Sequence, residues 1–286
     1  MMTVQNLATL IGKTGFYEQR GDDVVLLIHG LTGTPTEMRH FAKSLSKQGF
    51  SVVCPQLAGH CGSINDLKRS TWRDWYNSIS ETFLALKKNH QHVFVSGLSM
   101  GALIALKLAE DQSSQVAGLG LLSTTFFYDG WNMPNFKRRL LLPIVINTPL
   151  KHFLSWKENP PYGIKCERTR ALVHAVLENR DAHATEKVGI FRTPGVTIKE
   201  STRLIKVARK SLPKVSAPVL LVHSTEDDMA SIKNAQFVAK HVGSLRVETF
   251  FVNDTYHVLT LDKRKHDIAK KMGAFFKRCI TTTDNL

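Results

Sequence analysis

In Gly97-Leu98-Ser99-Met100-Gly101 a serine stands between two glycines at the spacing G-x-S-x-G. A serine hydroxyl attacks a carbonyl carbon only when a neighbouring base takes its proton, so the motif has meaning only in the right place and with partners. The place is suitable. The run His92-Val-Phe-Val-Ser96 reads as a strand, and a helical pattern extends from about Met100 to Glu110. A strand-to-helix turn this tight accepts only glycine two residues before and two after the serine, here Gly97 and Gly101. It also pushes the hydroxyl clear of the strand's carboxyl end.

Candidate partners follow in chain order. His257 closes the loop Asn253-Asp-Thr-Tyr-His257, after the last apolar run and before the last helical one, where an imidazole can reach over the end of a sheet. The acid that orients this base belongs in the loop after Ala217–His223, which carries Glu226, Asp227 and Asp228. Asp227 is the candidate, and Asp228 suits an N-cap for a helix starting near Ser231. A tetrahedral oxyanion also needs two backbone N–H donors. Met100, directly after the serine, offers one at the positive end of its helix. Leu31, in the turn His29-Gly30-Leu31, offers the second, with Gly30 letting that backbone approach the serine.

The elements that must position these groups alternate regularly. Val24–Ile28 is a continuous apolar run fit for a strand buried on both faces, a helix is expected over Thr36–Gln48, and Phe50–Cys54 reads as a strand stopped by Pro55. A helix from about Thr71 to Lys88 and a strand at Val116–Leu122 continue the pattern. It resumes with strands at Ala217–His223 and Leu245–Val252, a helix near Ile232–His241 and a last helix from about Lys263 to Arg278. Such alternation predicts an α/β fold, with a mostly parallel sheet and helices on both faces.

The rhythm stops after Thr124. Residues 127–213 hold no clear buried strand, only helix-like stretches at Phe136–Leu142, Thr169–Glu178 and Ser201–Lys210 with prolines between them. The expected organisation is a core of residues 1–126 and 214–286, with 127–213 as a helical cap inserted between the sixth and seventh core strands, above Ser99. Its apolar residues, Phe127, Trp131, Leu140, Ile144, Phe153 and Trp156 among them, can wall an acyl pocket or fasten the cap to the core. The segment has 16 Lys and Arg against 7 Asp and Glu, so +9 of the chain's +14 falls here, including the run Lys137-Arg138-Arg139. That charge can steer an anionic substrate, dock a phospholipid surface, or receive an acyl carrier protein or coenzyme A thioester. A solvated helical face is the plainer alternative.

Composition excludes other classes. At 286 residues, 43% hydrophobic and 22% charged, the chain is neither disordered nor a disulfide scaffold. Leu140–Ile146 falls far short of the roughly 20 apolar residues of a spanning helix, and no leader pattern is visible, so a cytoplasmic enzyme without a transmembrane segment is expected. Cys54, Cys61, Cys166 and Cys279 are scattered, which predicts reduced thiols and no metal site. Without zinc-ligand spacing or RNA-binding aromatic signatures, nucleic acid is not the expected partner of the positive charge.

His29-Gly-Leu-Thr-Gly33, Gly97-Leu-Ser-Met-Gly101, Asp227-Asp-Met229 and Tyr256-His-Val-Leu-Thr-Leu-Asp262 together resemble the motifs of the α/β-hydrolase superfamily, more narrowly of bacterial carboxylesterases and monoacylglycerol lipases. The resemblance covers about 23–125 and 215–278. It departs from the usual pattern at Ala230-Ser231 and at Gly59-His-Cys61, and the insertion aligns too poorly to carry over a substrate. It implies a serine hydrolase that cleaves small-molecule carboxylic esters without cofactor or metal. Ser99 would be the nucleophile, Asp227 the acid and His257 the base, and the N–H groups of Leu31 and Met100 would form the oxyanion hole. An acyl-thioesterase or acyltransferase using the same triad is the alternative. A non-catalytic scaffold is disfavoured because every catalytic position holds a competent residue.

Overall fold

A computed structural model describes residues 4–132, 140–178 and 189–283. In chain order the strands are β1 (Phe16–Glu18), β2 (Val24–Ile28), β3 (Ser51–Cys54), β4 (Val93–Leu98), β5 (Val116–Leu122), β6 (Ser155–Lys157), β7 (Arg192–Pro194), β8 (Val219–Ser224) and β9 (Val247–Val252). Among the described residues seven of them form one sheet in the order β1-β3-β2-β4-β5-β8-β9. Only β1 runs antiparallel to its neighbour; every other pair is parallel.

Side-chain alternation along the strands divides the core in two. Val24, Leu26 and Ile28 pack on one face with the helices Trp72–Lys87, Met100–Asp111 and Gly195–Ser211, whereas Val25 and Leu27 pack on the other with Arg39–Ser46 and Lys265–Thr283. Because both faces are covered, β2 through β5 and β8 are apolar along nearly their whole length. Helix starts are fixed locally: Thr71 and Asp74 form a reciprocal capping box at Trp72–Lys87.

Three expectations change. The segment expected as an insertion follows the fifth described strand of the main sheet, not the sixth. It also contains β6 and β7, an antiparallel pair of three residues each in which Trp156 faces Thr193; strands this short carry no readable alternation. The edge strand β1 went unpredicted for the same reason. Thr169–Glu178 and Ser201–Lys210 fall within the helices Glu167–Glu178 and Gly195–Ser211. Residues 136–139 of the Phe136–Leu142 stretch, and with them Lys137, Arg138 and Arg139, lie outside the described residues. Among the described residues no helix is long and apolar enough to cross a membrane, and none of the four cysteines forms a disulfide.

Candidate active site

Ser99 sits between β4 and the helix Met100–Asp111 with φ 56° and ψ −112°, a backbone conformation that a residue with a side chain holds only under constraint. The constraint is visible. A Cβ on Gly101 would lie 2.3 Å from the carbonyl oxygen of Ile28, and one on Gly97 would lie 2.2 Å from the Gly101 backbone, so a side chain is sterically excluded at both positions. The Ser99 N–H donates to the Leu122 carbonyl at 2.8 Å, pinning the turn to the end of β5.

Since β8 and β9 are neighbours, the loops leaving their carboxyl ends meet. His257 Nδ1 lies 2.9 and 2.8 Å from the two carboxylate oxygens of Asp227, and its Nε2 lies 2.9 Å from Ser99 Oγ. Asp227 Oδ1 accepts the N–H groups of Met229 and Ala230, and Oδ2 lies 3.3 Å from Nε2 of the fully buried His223, which also reaches the Ala230 carbonyl at 2.7 Å. Burial disfavours the Asp227 charge, but the two imidazoles outweigh it and hold the carboxyl well below the usual range. Burial likewise disfavours a charged His257; Asp227 overcomes that and raises its pKa above the ordinary histidine value.

The expected second job for Asp228 is not the one found. The helix beyond it starts at Lys233 with Ile232 as N-cap and no side-chain cap bond. Asp228 is instead fully buried, accepting the Gly163 N–H at 3.2 Å, and burial raises its pKa. It thereby ties the acid loop to the insertion. Asp262 does the same for the base loop: its carboxylate accepts the N–H groups of Tyr256, Lys263, Lys165 and Cys166. Glu226, the third acid of its loop, pairs with Lys165 and accepts the Asp254 N–H.

Gly30 brings the first turn to the serine: a Cβ there would be 3.8 Å from Ser99 Cβ. The neighbouring His29 fixes the turn, its Nε2 accepting the Leu57 N–H at 3.2 Å and its Nδ1 lying 3.0 Å from the Gly30 carbonyl. Burial, then the adjacent His60, lowers its pKa to about 3, so it is neutral and free to accept. Leu31 follows Gly30 in this turn, and Met100 follows Ser99 as the first residue of its helix.

Sequence reasoning missed three groups. Glu37 accepts the Gly30 N–H at 2.7 Å; Glu158, from the insertion, accepts the Thr32 hydroxyl at 3.1 Å. Burial raises both carboxyls to about 7, and each lies within electrostatic reach of His257 and of the other. The third group is Thr125, whose hydroxyl is 3.1 Å from Ser99 Oγ. The Glu37 position was legible only as part of a helix start, and nothing local marks the other two. Among the described residues no group of three or more His, Cys, Asp or Glu side chains can hold a metal ion.

Residues 19–264 match the family described as serine aminopeptidase, S33. A thermostable monoacylglycerol lipase from Bacillus sp. (strain H-257) is 28% identical over 269 residues, 94% of this chain and 96% of that protein. A carboxylesterase from Bacillus subtilis (strain 168) is 22% identical over 90% of this chain and 94% of its own length. Among solved structures, one from a study of the metagenome-derived lipolytic enzymes LipS and LipT superposes with a TM-score of 0.78 at 24% identity, covering 92% of this chain and 97% of the other.

Proposed function

The chain belongs to the serine aminopeptidase S33 family and has the α/β-hydrolase fold, and from that premise we propose that it hydrolyses carboxylic esters through an acyl-enzyme formed on Ser99. The observation that carries the reading is the unbroken line from Asp227 through His257 to Ser99, with contacts of 2.8 and 2.9 Å. His257 Nε2 takes the hydroxyl proton as Oγ adds to the ester carbonyl, and it returns that proton to the departing alcohol when the carbon–oxygen bond breaks. Water then enters, gives a proton to the same nitrogen, and releases the acid and the free serine. Asp227 holds the tautomer with the proton on Nδ1 and stabilises the transient imidazolium. The N–H groups of Leu31 and Met100 hold the oxyanion.

Residues 1–126 and 214–286 form the catalytic core in this reading, and 127–213 form a cap whose Glu158 projects toward the site. The two curated relatives are named for ester substrates, a monoacylglycerol and carboxylic esters, which favours esters over the amides implied by the family's descriptive name. A fluorophosphonate that labels Ser99, followed by a panel of esters of graded chain length, a thioester and an aminoacyl anilide, tests the proposal. Ester turnover lost together with the label is the expected result. No label at Ser99, or anilide or thioester turnover exceeding that of every ester, overturns it.

A further inference from the structure

The cap carries an unusual outer surface. In the run 140–154, Val145 and Ile146 turn inward, while Leu140, Leu141, Ile144, Leu150 and Leu154 are between 43% and 56% exposed and Phe153 is 82% exposed. Apolar side chains scattered singly over a surface need no explanation; six within fifteen residues do.

Cations border this run. It packs on the first turns of the helix Gly195–Ser211: the Gly195 N–H donates to the Leu154 carbonyl at 3.0 Å, and Lys199 Nζ donates to Asn147 at 2.5 Å. Along that helix Lys199, Arg203, Lys206 and Lys210 recur at positions i, i+4, i+7 and i+11, which places them in one stripe. Lys151 joins them from the apolar run. Partial burial, and then repulsion from Lys206, Arg203 and Lys151, lowers the pKa of Lys199, so these charges stand close enough to oppose one another. The carboxylate within the stripe, Glu200, is nearly buried and pairs with Arg203.

Protruding aliphatic and aromatic side chains beside clustered cations match a phase that offers hydrocarbon and negative charge together. A folded acidic partner would need a rigid surface shaped to each protrusion, whereas a fluid bilayer closes round them. We propose that this face of the cap docks on an anionic lipid bilayer, with Ile144, Leu150 and Phe153 entering the acyl boundary and Lys151, Lys199, Arg203 and Lys206 meeting the lipid phosphates.

The inference is independent of the catalytic reading, and its test uses no turnover. The full-length protein is sedimented with vesicles of ether-linked phosphatidylcholine, with and without ether-linked phosphatidylglycerol, at low and high salt. Partition should favour the anionic vesicles and weaken as salt rises. Each cation near the surface is worth about fivefold in partition, so Lys151→Gln, Lys199→Gln and Lys206→Gln together should lower binding to anionic vesicles on the order of 100-fold. Ile144→Asp with Phe153→Asp should abolish binding to both vesicle types. Both variants should keep the native circular dichroism spectrum and melting temperature. Absence of binding to anionic vesicles at low salt, equal binding by native protein and either folded variant, or binding only to an acidic carrier protein overturns the proposal. If both variants misfold, Phe153→Ser alone, at a side chain 82% exposed, takes their place and should lower binding to both vesicle types; unchanged binding overturns the proposal.

Discussion

The hydroxyl oxygen of Thr125 lies 3.1 Å from that of Ser99 and 3.0 Å from the Ser123 carbonyl. A hydroxyl has one proton. While Thr125 gives its proton to Ser123, it faces Ser99 as an acceptor, in competition with His257 Nε2 at 2.9 Å. Thr125→Val should therefore leave Ser99 with His257 alone and speed fluorophosphonate labelling by no more than about threefold, at a cost of about 1 kcal/mol in stability from the lost bond to Ser123. Thr125→Ser should behave as the native protein. Loss of labelling in the valine variant would instead make Thr125 a donor to the nucleophile.

The glycines of the elbow and its serine should respond in opposite ways. Gly101→Ala sets a methyl group 2.3 Å from the Ile28 carbonyl oxygen and 2.7 Å from that of His29, backbone atoms with nothing flexible to yield, so soluble protein should be lost or its stability fall by about 3 kcal/mol. Ser99→Ala removes only an oxygen. It should melt normally while turnover drops below about one part in a hundred, and His257→Ala should lose a similar amount because the two act as a unit.

Adjacent acids allow a sharper comparison. Asp227→Asn puts an amide where His257 Nδ1 needs an acceptor, and kcat should fall on the order of 10⁴-fold with the fold intact and KM little changed. Asp228→Asn keeps an acceptor for the Gly163 N–H and replaces a carboxyl whose charge burial already disfavours. It should remain active, with a change in stability below about 1 kcal/mol. Steady-state kinetics and thermal melts of the pair check both statements.

The acids enclosed near the site should give stability a pH dependence of definite sign. Glu37 and Glu158 are raised to about 7, so between the ordinary carboxylate range and pH 7 the folded protein retains protons that the unfolded chain has released. Stability contributed by these groups therefore falls as pH rises through that window. Glu158→Gln keeps an acceptor for Thr32 and should flatten the decline, gaining most above pH 7; an unchanged slope in melts across this range would show that Glu158 ionises normally. His257 adds to the decline, since the stability from its raised pKa is lost as pH rises through it, whereas the depressed pKa of Asp227 gives stability that is lost only in acid. Activity should run the other way. It should rise with pH as His257 loses its proton, with a midpoint above the ordinary histidine value.

Local patterns in the sequence determined the elements and the chemistry offered. The apolar runs at Val24–Ile28 and Val116–Leu122, set between helical patterns, read as strands buried on both faces, and the glycines on either side of Ser99 read as a turn with no room for a Cβ. Tertiary structure decided which of these groups meet. Asp227 meets His257 because β8 and β9 lie side by side, while the adjacent Asp228 turns to the Gly163 N–H, and Glu158 reaches Thr32 across 126 positions of chain because the segment between β5 and β8 packs against the first turn. It also decided that Val145 and Ile146 turn inward while Phe153 turns out. Periodicity records whether a residue is to be buried and in what local geometry. It carries no record of the partner, since partners belong to distant segments brought together by sheet order and by the packing of the insertion on the core.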